Sequence, residues 1–154
     1  MRHRPRALAA LGLTASSMLL SAAAEPGATV RVTVTVTVTD LRSSKGLVQA
    51  CLTADPRAFP DCSRDKAAHT LTVPAAEGVV LDFGRVAPGR YAISLLHDEN
   101  GNGRADKSLG LIPREGFGFS RDAPVRMGPP KFAAAAFDVA DEPVAHTIRM
   151  RYLF

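Results

Sequence analysis

The sequence predicts an all-β protein built as an antiparallel sandwich of seven strands. Three observations carry that expectation. Short runs rich in β-branched residues recur along the chain, turn-forming residues punctuate them, and no stretch shows the apolar repeat of an amphipathic helix.

The first strand is "TVRVTVTVTVTD" (29–40), which alternates without a break. Val30, Val32, Val34, Val36 and Val38 share one face; Arg31 and the threonines share the other. So regular a repeat specifies register weakly, and an exposed edge would invite slippage. The next expected strands are "GLVQACLT" (46–53), "HTLTV" (69–73), "GVVLDF" (78–83) and "RYAISLLH" (90–97). "VAPGR" (86–90) is a turn in which Pro88 fixes φ and Gly89 is expected to take a positive φ. The last two strands are "FAAAAFDV" (132–139) and "AHTIRMRYL" (145–153). Alanine favours helix in the first of these, but the prolines before it and Phe132, Phe137 and Val139 around it point to a strand with a bulge.

The chain is expected to be exported. Met1 to Arg6 carries three arginines, an apolar run follows from Ala7 to Leu20, and "SAAAEP" supplies the small residues of a cleavage site, so residues 1–24 read as a signal peptide. That run is shorter than the roughly 20 residues a spanning helix needs. Residues 25–154 then form one sandwich domain in the periplasm or outside the cell. The leader carries three of the 19 Lys and Arg and none of the 15 acids, so the +4 charge falls to 16 minus 15, or +1. A nucleic-acid or anionic-membrane partner thereby loses its main support. In an oxidising compartment Cys51 and Cys62 are expected to form a disulfide closing a short loop.

Function is expected in the long connection from 98 to 131, where "HDENGNGRAD" (97–106) stands at the end of a strand. Numbered as a calcium loop, Asp98 is position one, Asn100 three, Asn102 five, Gly103 six, the Arg104 carbonyl seven and Asp106 nine. Position twelve is Leu109 where an EF-hand places a bidentate Glu, and strands flank the loop, so an EF-hand is excluded. A looser calcium coil of weak affinity closes if Glu115 folds back. The alternative is an ion-free turn, since Asn, Asp, Gly101 and Gly103 suit tight coils whether or not an ion is present.

His97 beside Asp98, with Glu115 further on, allows a general acid/base pair and hence an envelope hydrolase. The competing role for His97 is to anchor the loop backbone. Phe117 and Phe119 share a parity and serve either as an apolar or sugar-binding patch or as pins holding the loop down. Ser120 lacks the setting of a nucleophile elbow, and nothing assigns His69 and His146 to a shared site.

"HDENGNGRAD", then "GLIPREGFGFS" (110–120) and "PPKFAAAAFDV", resemble the secreted bacterial domain family of unknown function numbered 2141. The matching positions are His97, Asp98, Asn100, Asn102, Gly103, Asp106, Pro113, Glu115, Gly116, Gly118, Phe119 and Ser120; Leu111 departs from the pattern by lengthening the gap before Pro113. The resemblance implies a transthyretin/prealbumin-like (Ig-like) or carboxypeptidase-regulatory-like sandwich and implies no activity. The leading expectation is a non-enzymatic exported module whose 97–120 loop binds an envelope or extracellular protein or glycan, stabilised by weak calcium. The alternatives are the His97/Glu115 hydrolase and a purely structural module.

Overall fold

The computed structural model describes residues 30–108 and 112–153, so the expected signal peptide and Leu111 lie outside the described residues. Among the described residues ten strands form: β1 (Val32–Thr39), β2 (Leu47–Thr53), β3 (His69–Pro74), β4 (Val80–Val86), β5 (Gly89–Asp98), β6 (Lys107–Ser108), β7 (Ile112–Pro113), β8 (Gly116–Phe119), β9 (Phe137–Val139) and β10 (Val144–Arg149). One sheet runs β10-β1-β4 and a second runs β3-β2-β5-β8; β9 pairs with the first residues of β5, and β6 pairs with β7. The result is an all-β sandwich.

The valines of β1 point inward as their alternation requires, and Val34, Val36 and Val38 expose no surface. They meet Leu81, Phe83 and Ile148 of their own sheet and Val48, Leu52, Ile93 and Leu95 of the facing one. β1 is central, paired on both sides, so the repetitive strand presents no free edge. A bulge helps fix its register: the β1–β4 pairing shifts between Thr33 and Thr35, opposite Gly84 at φ 70, whose N–H donates to the Asp82 carboxylate at 2.8 Å.

The structure corrects the expected strand map in four places. β1 and β10 run parallel, from Val34 opposite Val144 to Thr39 opposite Arg149, because the chain crosses from β9 in the other sheet before entering β10; hydrophobic alternation carries no information about direction. Residues 132–135 form a single helical turn, α1 (Phe132–Ala135), and only 137–139 are strand. Alanine's preference decides that segment, and Ala135 and Ala136 are buried. The connection from 98 to 131 is not one loop, since it contributes β8 to the second sheet. Gly89 is absent from the glycines at positive φ, so the 86–90 turn does not rest on that freedom.

β5 is buried on both faces because a second apolar cluster covers the outside of its sheet. Phe59, Ala92, Phe117, Phe119, Ala123 and Ala135 compose it. Phe59 packs edge-on against Phe119 and Phe132, with centroids 5.8 and 6.1 Å away. A disulfide joins Cys51 of β2 to Cys62, and the Ser94 hydroxyl donates to the Pro60 carbonyl at 2.6 Å, holding this crossing segment on the sheet.

Candidate functional site

β5 ends at Asp98, opposite Leu47 of β2, with His97 between Val48 and Gly116 of β8. Both side chains are wholly buried. The His97 ring bonds at both nitrogens: Nε2 is 2.8 Å from the Lys45 carbonyl and Nδ1 is 2.7 Å from the Tyr152 hydroxyl. A carbonyl only accepts, so Nε2 carries a proton, and in the neutral ring the tyrosine donates to Nδ1. The Lys45 carbonyl reaches the ring because Gly46, at φ 70, lies against the backbone of Asp98 and Glu99; a Cβ there would sit 2.0 Å from the Asp98 carbonyl oxygen.

The Asp98 carboxylate is the hub of the following coil. Oδ1 accepts the N–H groups of Gly101 at 2.8 Å and Asn102 at 3.2 Å; Oδ2 accepts the Gly103 N–H at 2.7 Å and the Gln49 carboxamide at 2.9 Å. These four donors fill the four lone-pair positions a carboxylate offers. Gly101 and Gly103 adopt φ of 69° and 76°, and an added Cβ at either would meet nothing, so glycine is needed here for its backbone freedom and not for space. The asparagines continue the coil in steps of two: Asn100 Oδ1 accepts the Asn102 N–H at 3.0 Å and Asn102 Oδ1 accepts the Arg104 N–H at 2.8 Å. Their amide nitrogens converge on Asp106, at 2.7 and 3.0 Å, and hold its carboxyl below its ordinary range.

β8 returns Glu115 to this coil. One carboxylate oxygen accepts the Asp106 N–H at 3.0 Å, the Asp106 carbonyl accepts the Arg114 N–H at 2.9 Å, and the other glutamate oxygen is buried without a partner. Glu115 is 4% exposed. Its burial, together with Asp98 and Asp106, pushes its carboxyl upward. Among the described residues no three His, Cys, Asp or Glu side chains are arranged so that they could hold a metal ion.

The rim is polar. Glu99 accepts from the Arg42 guanidinium at Nε and Nη2 and from the Ser43 hydroxyl at 2.7 Å, which hold its carboxyl down at about 2. Arg42 also lies over the Tyr152 ring, 4.5 Å from its centroid. Asn100, Gly101, Asn102, Gly103 and Arg104 are exposed.

The alternating "GFGF" of β8 has two functions. Phe117 and Phe119 bury themselves in the second cluster, while a Cβ at Gly116 would strike the Tyr152 ring at 2.3 Å and one at Gly118 would press on Ile148 at 2.9 Å. The C-terminal segment therefore lies directly on β8, bridged by the Phe117 and Arg151 backbones. Ser120 is structural as well, accepting the Ile93 N–H at 2.9 Å and donating to the Ala135 carbonyl at 2.6 Å. Of the other histidines among the described residues, His69 is on β3; His146 is on β10, 4.3 Å from the Phe137 ring, and its Nε2 has no partner.

A family described as "Uncharacterized protein conserved in bacteria (DUF2141)" matches residues 36–147, well over half of the chain. The chain belongs to that family. The DUF2141 match spans β2, β5, the coil and β8, so it contains His97, Asp98 and Glu115. Tyr152, the partner of His97, lies beyond its end. Comparison with curated proteins and with solved structures returns no match.

Sequence reasoning did not single out Gln49, Tyr152, Arg42, Ser43 or the Lys45 carbonyl. Gly46 carried a usable signal, since a glycine immediately before an apolar strand invites a search for a close backbone approach. Tyr152 carried none.

Proposed function

We propose that this protein is an exported, non-enzymatic β-sandwich module whose coil from 98 to 106 is a surface for binding an envelope or extracellular protein or glycan. One observation carries the choice over a hydrolase: His97 has no exposed surface and both of its ring nitrogens are committed. A general acid or base has to reach the proton it moves, and neither His97 nor the nearly buried Glu115 is open to a substrate. In contrast, the Asn100 and Asn102 carboxamides and Arg104 lie at the surface on a coil whose backbone is already hydrogen-bonded. A polar surface whose order precedes contact loses little conformational freedom on binding, which favours a hydroxyl-rich or polar partner.

The test is an NMR titration of the uniformly labelled protein with soluble cell-wall polysaccharide fragments, alongside esterase, amidase and glycosidase assays. The proposal expects shifts at residues 100–105 that weaken in Arg104→Ala, with no turnover. Turnover abolished in His97→Gln would overturn it in favour of the hydrolase. An unmoved coil would leave a passive structural module.

A further inference from the structure

Deepening that reading, and resting on the coil being an ordered surface, we propose that the coil is a calcium site of the weak extracellular class, closed by Glu115. The unpartnered oxygen of Glu115 points to a ligand independently of the turn chemistry. A carboxylate oxygen buried without a donor is costly, and here it sits beside two further acids. A cation removes that cost; a proton shared with the neighbouring Asp98 carboxylate would remove it too, and the response to calcium separates the two.

The ligand set follows from which oxygens have room. Asp98 has none: its four acceptor positions are filled by three backbone N–H groups and Gln49, so it positions the coil. The asparagine oxygens each spend one lone pair on a backbone N–H and keep a second. Asp106 is bound only by two side-chain amides, which a cation can displace. Asn100, Asn102, the Arg104 carbonyl, Asp106 and Glu115 therefore supply neutral and carboxylate oxygens with a combined charge of minus two. That matches a hard divalent ion whose coordination sphere is completed by water. Only two of these side chains are acids, and among the described residues no three His, Cys, Asp or Glu side chains are arranged to hold a metal ion, so the asparagine and backbone oxygens and water have to supply the rest. Moving Asp106 off the amides opposes binding, which is why the affinity belongs at about 0.1 to 1 mM.

The experiment is thermal melting of the chelator-treated protein against calcium, with magnesium in parallel. The expected result is a melting temperature that rises with calcium to saturation in the millimolar range, with little response to magnesium. Glu115→Gln and Asp106→Asn should each shift the midpoint upward by about tenfold or more, and Asn102→Asp, which adds a charged ligand on an exposed turn, should lower it. No rise by about 10 mM calcium, an equal rise with magnesium, or a midpoint indifferent to all three substitutions overturns the site. Should the first two variants not fold, Asn102→Asp alone decides. A coil that is disordered without calcium shows instead as unprotected amides at Gly101 and Gly103, a failure of the underlying reading and not of the site.

Discussion

The hydroxyl of Tyr152 is hydrogen-bonded to Nδ1 of His97 at 2.7 Å, tying the end of β5 to a residue 55 positions later in the chain. The same hydroxyl accepts the Arg42 N–H at 3.2 Å, so one side chain joins β5, the β1–β2 connection and the C-terminal segment. Removing it leaves a buried imidazole nitrogen unpaired. Tyr152→Phe is expected to cost about 1 to 3 kcal/mol, measured by urea unfolding. A change within a few tenths would show that the contact adds nothing.

Asp98 gives a steeper result. Asp98→Ala strips the acceptor from three backbone N–H groups and Gln49 together, whereas Gln49→Ala removes one donor of four. The first should destabilise the protein by about 3 kcal/mol or more and the second by about 1. Equal losses would mean that the carboxylate does not organise the coil.

His146 predicts a pH dependence. Burial lowers its pKa from 6.5, so the folded state holds the neutral ring more firmly than the unfolded chain does. Its contribution is fully present above pH 6.5 and is lost as pH falls from there through the lower folded value. Urea midpoints between neutral pH and about 5 should therefore drop less in His146→Phe than in the natural protein. Identical pH profiles would contradict this.

Reduction of the Cys51–Cys62 disulfide reopens a link between residues 11 apart. The chain-entropy model assigns such a loop about 3 kcal/mol, which a Cys51→Ala, Cys62→Ala double variant should lose by urea unfolding. The coil lies outside that loop, so its amide resonances should keep their positions. Large shifts at Gly101 or Gly103 would show that the two regions are coupled.

Where a residue's environment is set by its own alternation, the sequence was readable. The β1 valines, the β2 and β5 runs and the tight coil at 98–106 follow from period-two patterning and from Asn, Asp and Gly chemistry. Strand direction was not readable, so the parallel pairing of β1 with β10 departs from the wholly antiparallel sandwich that was expected. β8 was hidden because its glycines accommodate Tyr152 and Ile148, contacts between distant parts of the chain that make "GFGF" look like loop. The partners of Asp98 and His97 were hidden for the same reason: Gln49 and Tyr152 are 49 and 55 residues away, and no local spacing points to either.

Amide hydrogen exchange at Gly101, Asn102 and Gly103 tests the central claim most directly, because their N–H groups are held by one buried carboxylate in an otherwise exposed turn. The account predicts protection at all three in the natural protein and its loss at all three in Asp98→Ala. Exchange at the rate of an unstructured peptide in the natural protein would contradict it.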